Sequence, residues 1–251
     1  MGVRACASAD TVRICHALTR LAPSARIAKG GGASAGRAGR DIRIPLVLAV
    51  AAFVLAFIQR PGLATSDTKI DLHVDPVRFL ADVASAWTQS GVLGQVQAGQ
   101  YSGYLWPMGP FFALGHELGL GAWVVQRIWL GGVLALAAWG VVRLLDALLE
   151  RPRGVPHAAA AALYLVNPFV VVYANRTTIT LLGYAALPWL LLAVHRGVRD
   201  SGRWWWPAAF ALVVTSTGGG VNAAVTAWIL VGPLLLFLYE PLFEGVPWSA
   251  A

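Results

Sequence analysis

The sequence predicts an all-α, polytopic membrane protein with about five or six transmembrane helices. Composition is the first reason: of 251 residues, 57% are hydrophobic and 12% charged, against about 45–50% apolar and about 25% charged in an ordinary soluble domain. The mean hydropathy of +0.64 agrees. The second reason is pattern. The apolar residues fall into separate uncharged runs closed by Arg, Trp, Pro or Gly, as spans are. The third is charge placement. The net charge of +7 would suggest nucleic acid in a soluble chain, but here the basic residues sit in a tail and in short loops between apolar runs, so no nucleic-acid partner is expected.

Residues 1–43 hold eight of the nineteen basic residues, together with both cysteines, Cys6 and Cys15. This stretch is rich in Gly, Ala and Ser and has no sustained apolar run. Three readings stay open: a loosely structured cytoplasmic tail, an organellar transit peptide, or an upstream extension that is not translated. Cys6 and Cys15 alone make no metal signature. The domain expected next, residues 44–239, opens with the uncharged run Ile44–Ile58. That is short of the roughly 20 residues a span needs unless the flanking arginines snorkel. A cleaved signal peptide competes with this reading, but the long basic region before the run and the spans after it favour an uncleaved first span.

Residues 59–106 form the first loop, which holds Asp67, Lys69, Asp71, His73, Asp75, Arg78 and Asp82. From Pro76 to Trp87, the recurrence of Phe79, Leu80, Val83 and Trp87 predicts a short amphipathic helix on the membrane surface. Residues 107–119 read as a short re-entrant or interfacial helix. Further spans are expected at 122–145, 158–173 (broken near Asn167-Pro168), 179–194, 207–217 and 221–239, with residues 240–251 a short tail opened by Glu240 and Glu244. Trp204–Trp206 mark a membrane interface. The loops at 143–153 and 196–203 carry three basic residues each, so they and the N-terminus are expected on the cytoplasmic side of a plasma membrane, and the aspartate-bearing loop outside.

Two features could carry chemistry. In Ser66–Leu72 (SDTKIDL) two carboxylates four residues apart flank a lysine near the bilayer. One could take a proton from an acceptor hydroxyl, and its neighbours could orient an acceptor or pair with a phosphate. The same residues also fit a solvated loop whose acids balance Lys69 and Arg78. The second feature is Arg127, inside an apolar run. Ionisable residues there usually face a cavity or a partner, and arginine's donor fork suits phosphate; snorkelling to the headgroups is the other reading. His116-Glu117 lacks a third ligand for a metal, and the cofactor stays open. Asn175-Arg176-Thr177 matches a glycosylation sequon, read as chance in so short a turn. Gly218–Gly220 with Asn222 is no phosphate loop, for it lacks the lysine and the strand.

Taken together, Ser66–Leu72, Tyr101–Phe112 (YSGYLWPMGPFF), Trp123–Trp129 (WVVQRIW) and Gly220–Ala223 resemble, in order and spacing, the N-terminal membrane domain of actinobacterial α-(1→3)-arabinofuranosyltransferases. The likeness extends over about residues 44–239. It implies a glycosyltransferase of the GT-C fold. Such an enzyme takes arabinose from a polyprenyl-phosphate carrier, here decaprenyl-phosphoryl-arabinose, and passes it on the outer face to the arabinan of the cell envelope. The family's acid in the first outer loop makes Asp67 the expected general base and Asp71 the runner-up. Lys69 and Arg127 become candidates for the carrier phosphate, and Tyr104, Trp106 and Gln126 for lining the site. There are two departures. The family's chains are several times longer, so this chain is expected to match only their N-terminal part. The turn before the fourth span, Asn175–Thr180, also lacks the carboxylate of mycobacterial members. Another GT-C enzyme, such as a mannosyltransferase, or a non-catalytic membrane scaffold remain the alternatives. A transporter would show internal repeats or mid-membrane charges, and neither is visible.

Overall fold

The computed structural model describes residues 42–65, 69–88, 93–96, 101–149, 152–174, 176–200, 203–217 and 223–246, with the backbone alone at Ser102. The described residues are mainly helical. α1 is Arg43–Phe57. The first loop folds into α2 (Ile70–Val74), α3 (Pro76–Val83), a two-residue antiparallel pairing of β1 (Trp87–Thr88) with β2 (Gln95–Val96), and a single 3-10 turn at Ser102–Tyr104. Next come α4 (Met108–Glu117), α5 (Ala122–Leu149), α6 (Val155–Leu165), α7 (Pro168–Tyr173), α8 (Thr180–Arg199), α9 (Trp205–Thr215) and α10 (Ala223–Phe243).

Among the described residues, four stretches are long and apolar enough to cross a membrane: Ala122–Leu149, Val155–Tyr173 (α6 with α7), Thr180–Arg199 and Ala223–Phe243. α1 and α9, with 15 and 11 residues, rise only ~22 and ~16 Å. The expected five or six spans are thus present as apolar helices, two of them short.

α5 is the central post, packed by α1, α6 and α8. α1 presents Leu48, Ala52 and Ala56 inward, four residues apart on one narrow stripe. Gly131 of α5 lets the two axes close, because a Cβ there would fall 2.5 Å from the Phe53 ring. The rest of α1 exposes Leu46, Val47, Val50 and Val54, the surface a lipid-facing helix needs. Gly140 plays the same part against α8, where the Trp189 ring lies 2.6 Å from the Cβ it lacks. Small residues at such crossings supply the close packing that holds membrane helices together. The Trp189 indole then donates to the Leu136 carbonyl at 3.0 Å.

The break between α6 and α7 has a local cause. Asn167 is extended, its side chain accepts from the Val170 amide at 3.1 Å, and Pro168 starts the new helix. A stacked pair, Tyr164 and Tyr184 with centroids 4.1 Å apart, fastens the break to α8. Each hydroxyl donates to the other residue's carbonyl at 2.8 Å, and Asn167 bonds the Tyr184 hydroxyl.

α8 and α10 run side by side in the same direction, since Gly183 meets Ile229 near their starts and His195 meets Glu240 near their ends. α9 returns the chain between them. The bundle therefore has two unlike ends. The ends of α5 and α8 lie at one, and the first loop packs at the other.

Two sequence expectations are corrected. The amphipathic helix stops at Val83 and not Trp87: Phe79 and Val83 are buried, whereas Trp87 is half-exposed and pairs with Val96 as a strand. α10 continues past Tyr239 to Phe243, so Glu240 belongs to a buried helix face and does not open a tail.

Candidate functional site

The first loop is a folded platform built on α4 and α5. Pro76 starts α3, and Asp75 caps it by accepting from the Arg78 amide at 3.0 Å. This buries Phe79 and Val83 and sets Leu80 against Gly109 of α4. Phe79 meets Tyr104 edge-on at 5.9 Å and Tyr101 at 6.2 Å. Lys69, just before α2, sets its ammonium 3.9 Å from the centre of the Tyr101 ring, a cation–π contact. Beneath lies an aromatic layer in which His73 touches Phe112 at 5.0 Å and Trp129 of α5 touches Phe111 and Phe112.

The chain entering this platform is clasped by the first turns of α5. Gln126 is 1% exposed. Its amide donates to the Thr65 carbonyl at 2.9 Å and accepts from the Thr65 N–H at 2.9 Å, a two-point grip on one peptide residue. Arg127, 2% exposed, donates to the Leu63 carbonyl at 3.0 Å and to the Gln59 side chain. The Arg127 guanidinium is thus turned inward onto the start of the first loop. These bonds give partners to the backbone of the half-buried Thr65 and to the Leu63 carbonyl, at about 0.5–1.5 kcal/mol each.

Asp67 lies outside the described residues, as do Asn175, Gly218–Gly220 and Asn222. The described residues nearest Asp67 in sequence are Thr65, held by Gln126, and Lys69, over the Tyr101 ring. Asp71, in the first turn of α2, is exposed and makes no ion pair among the described residues. Tyr104 is buried within the platform. Trp106 is 52% exposed and reaches away from this group, its indole donating to the Ser216 hydroxyl at 3.1 Å at the end of α9. Lys69, Tyr104, Gln126 and Arg127 thus pack with residues 59–65 and Tyr101 on one side of the bundle, with Asp71 at the edge and Trp106 bridging to α9. Sequence reasoning missed Gln59, Thr65 and Tyr101 as the partners in this assembly. Tyr101 stood in a recognised run, but nothing in its spacing named Lys69. His116 and Glu117 are exposed at the end of α4, and no group of three or more metal-ligating side chains occurs among the described residues.

Comparison with known proteins agrees with this architecture. Residues 51–248 match the family model of the α-(1→3)-arabinofuranosyltransferase N-terminal GT-C domain. An α-(1→3)-arabinofuranosyltransferase of Mycolicibacterium smegmatis is 37% identical over 182 residues, which is 72% of this chain and 13% of that protein. The Mycobacterium tuberculosis protein of the same name is 37% identical over 186 residues, 73% of this chain and again 13% of the relative. The cryo-EM structure of the mycobacterial arabinofuranosyltransferase AftD superposes with a TM-score of 0.71 at 32% identity, covering 80% of this chain and 15% of that one. A variant of that enzyme gives a TM-score of 0.72 at 33% identity, with 80% and 16% covered. The chain spans about an eighth of the length of these curated relatives. The all-helical bundle, the folded first loop and the match over most of the chain lead to one assignment: this chain belongs to the family of α-(1→3)-arabinofuranosyltransferase N-terminal GT-C domains.

Proposed function

We propose that this chain supplies the catalytic membrane domain of an arabinofuranosyltransferase. In this reading it moves arabinose from a polyprenyl-phosphate carrier to cell-envelope arabinan. The platform end of the bundle faces outside, and residues 1–43 are cytoplasmic. The observation that carries the proposal is the clasp of Gln126 and Arg127 on residues 59–65. It holds the loop rigidly two residues before Asp67, as a reacting carboxylate requires.

Asp67 is the general base. It takes the proton of the acceptor hydroxyl while that oxygen forms a bond to the anomeric carbon. The bond from that carbon to the phosphate oxygen breaks, and the carrier phosphate leaves with the electron pair. Attack opposite the leaving group inverts the anomeric configuration. Lys69 stands two residues away as the cation for the phosphate, and Asp71 is the second choice for the base. Tyr104 and Trp106 shape the site. Gln126 and Arg127, whose described hydrogen bonds go to the loop, act by positioning it.

The test is Asp67→Asn in a chimera in which this chain replaces the corresponding domain of a full-length relative. With carrier-linked arabinose as donor, transfer is expected to fall at least a hundredfold, the lower range for a lost general base, with membrane expression unchanged. Undiminished turnover would remove Asp67 from the role.

A further inference from the structure

The platform holds a half-buried cation without a carboxylate. Lys69 lies just before α2, and its ammonium is 3.9 Å from the centre of the Tyr101 ring. Among the described residues Lys69 makes no ion pair. The acids that follow it are placed otherwise: Asp71 is exposed, Asp75 caps α3, and Asp82 lies beside Arg78. The ring itself is braced. It meets the buried Phe79 at 6.2 Å and packs against the main apolar core. The Tyr101 carbonyl also accepts from the N–H of the buried Tyr104 at 3.0 Å.

A ring in place of a carboxylate has a chemical consequence. Lysine is a point charge on a flexible four-carbon stem, and an anion that binds it loses affinity to freezing that stem unless the stem is already held. A carboxylate would hold the ammonium but cancel its charge, as Asp146 does for Arg153 and Glu240 for Arg199. An aromatic face attracts the ammonium through the ring quadrupole and carries no net charge. Lys69 is therefore held in one place with its positive charge still available to an anion. We propose that Tyr101 is the positioning residue of Lys69, its ring face holding the ammonium in place for the carrier phosphate. This rests on the reading of Lys69 as the cation for that phosphate, and adds to it the residue that sets how tightly the phosphate is bound.

Binding of decaprenyl phosphate to the detergent-solubilised chain tests it. Lys69→Met should weaken binding about tenfold or more, as the loss of a hydrogen bond to a charged group does. Tyr101→Leu should weaken it about fivefold, and Tyr101→Phe, which keeps the aromatic face, by less than about twofold. In a Lys69→Met background, Tyr101→Leu should have almost no further effect, because a residue that acts through Lys69 then has nothing to position. With para-cyanophenylalanine in place of Tyr101, the ring stays but its face is drained of electrons, so binding should weaken toward the leucine value even if the leucine variant fails to fold. No binding by the unaltered chain, or binding unchanged by Lys69→Met, would overturn the phosphate role of Lys69 and this proposal with it. Where Lys69→Met weakens binding but the cyano-substituted ring does not, or Tyr101→Leu keeps its full effect without Lys69, the Tyr101 proposal alone falls. A phenylalanine variant as weak as the leucine one would also overturn it, since the hydroxyl and not the ring face would then matter.

Discussion

The two ends of the bundle treat their carboxylates in opposite ways. Where α5 and α8 finish, two acids are each held by two basic groups. Asp146 takes Arg153 at 2.6 Å and His157 at 3.6 Å. Glu240, 2% exposed, takes His195 at 2.6 Å and Arg199 at 2.8 Å. These clusters tie α5 to the start of α6, and α8 to α10. At the platform end Asp71 is exposed, Asp75 caps α3, and Asp82 lies 4.0 Å from an equally exposed Arg78. Such a surface pair contributes about 0–1 kcal/mol. Fastening there falls to a neutral amide and an arginine acting on backbone groups. One end uses Asp146 and Glu240 as structure; at the other, Asp71 is exposed and makes no ion pair among the described residues.

Substitution can break or sharpen this contrast. Glu240→Leu should have the largest effect, since it leaves His195 and Arg199 without their buried partner. A loss of about 3–5 kcal/mol is expected, read as a lowered unfolding midpoint in detergent. Gln126→Leu comes next. It removes both hydrogen bonds to the Thr65 backbone, at about 0.5–1.5 kcal/mol each, and hydrogen exchange should accelerate over residues 59–65 while α8 and α10 stay protected. Asp71→Asn should be the smallest, within about 0.5 kcal/mol on unfolding. If Asp71→Asn cost as much as Glu240→Leu, the contrast between the ends would fail.

Helices were the most legible part of the sequence. The run Ile44–Ile58 became Arg43–Phe57, residues 107–119 became Met108–Glu117, and the break at Asn167-Pro168 appeared where proline and an Asn cap place it. These features are local, so hydropathy and capping chemistry suffice to find them. α2 was missed because five residues are too few to show a period. Glu240 was misjudged because its partners lie 41 and 45 residues away, and a carboxylate after an apolar run reads as the end of a span. The same holds for Gln126. Its type and place suggested a polar contact, but only the fold shows that the contact is Thr65, 61 residues earlier.

The shortness of α9 has a consequence for depth. Eleven residues climb ~16 Å, about half of a hydrocarbon layer ~30 Å thick. Ser216, at the top of α9, receives the Trp106 indole. A helix that starts at the basic surface and ends halfway up cannot meet a loop resting on the far surface unless that loop descends. The stretch around Trp106 therefore sits at the level where α9 ends, about halfway along the neighbouring α8.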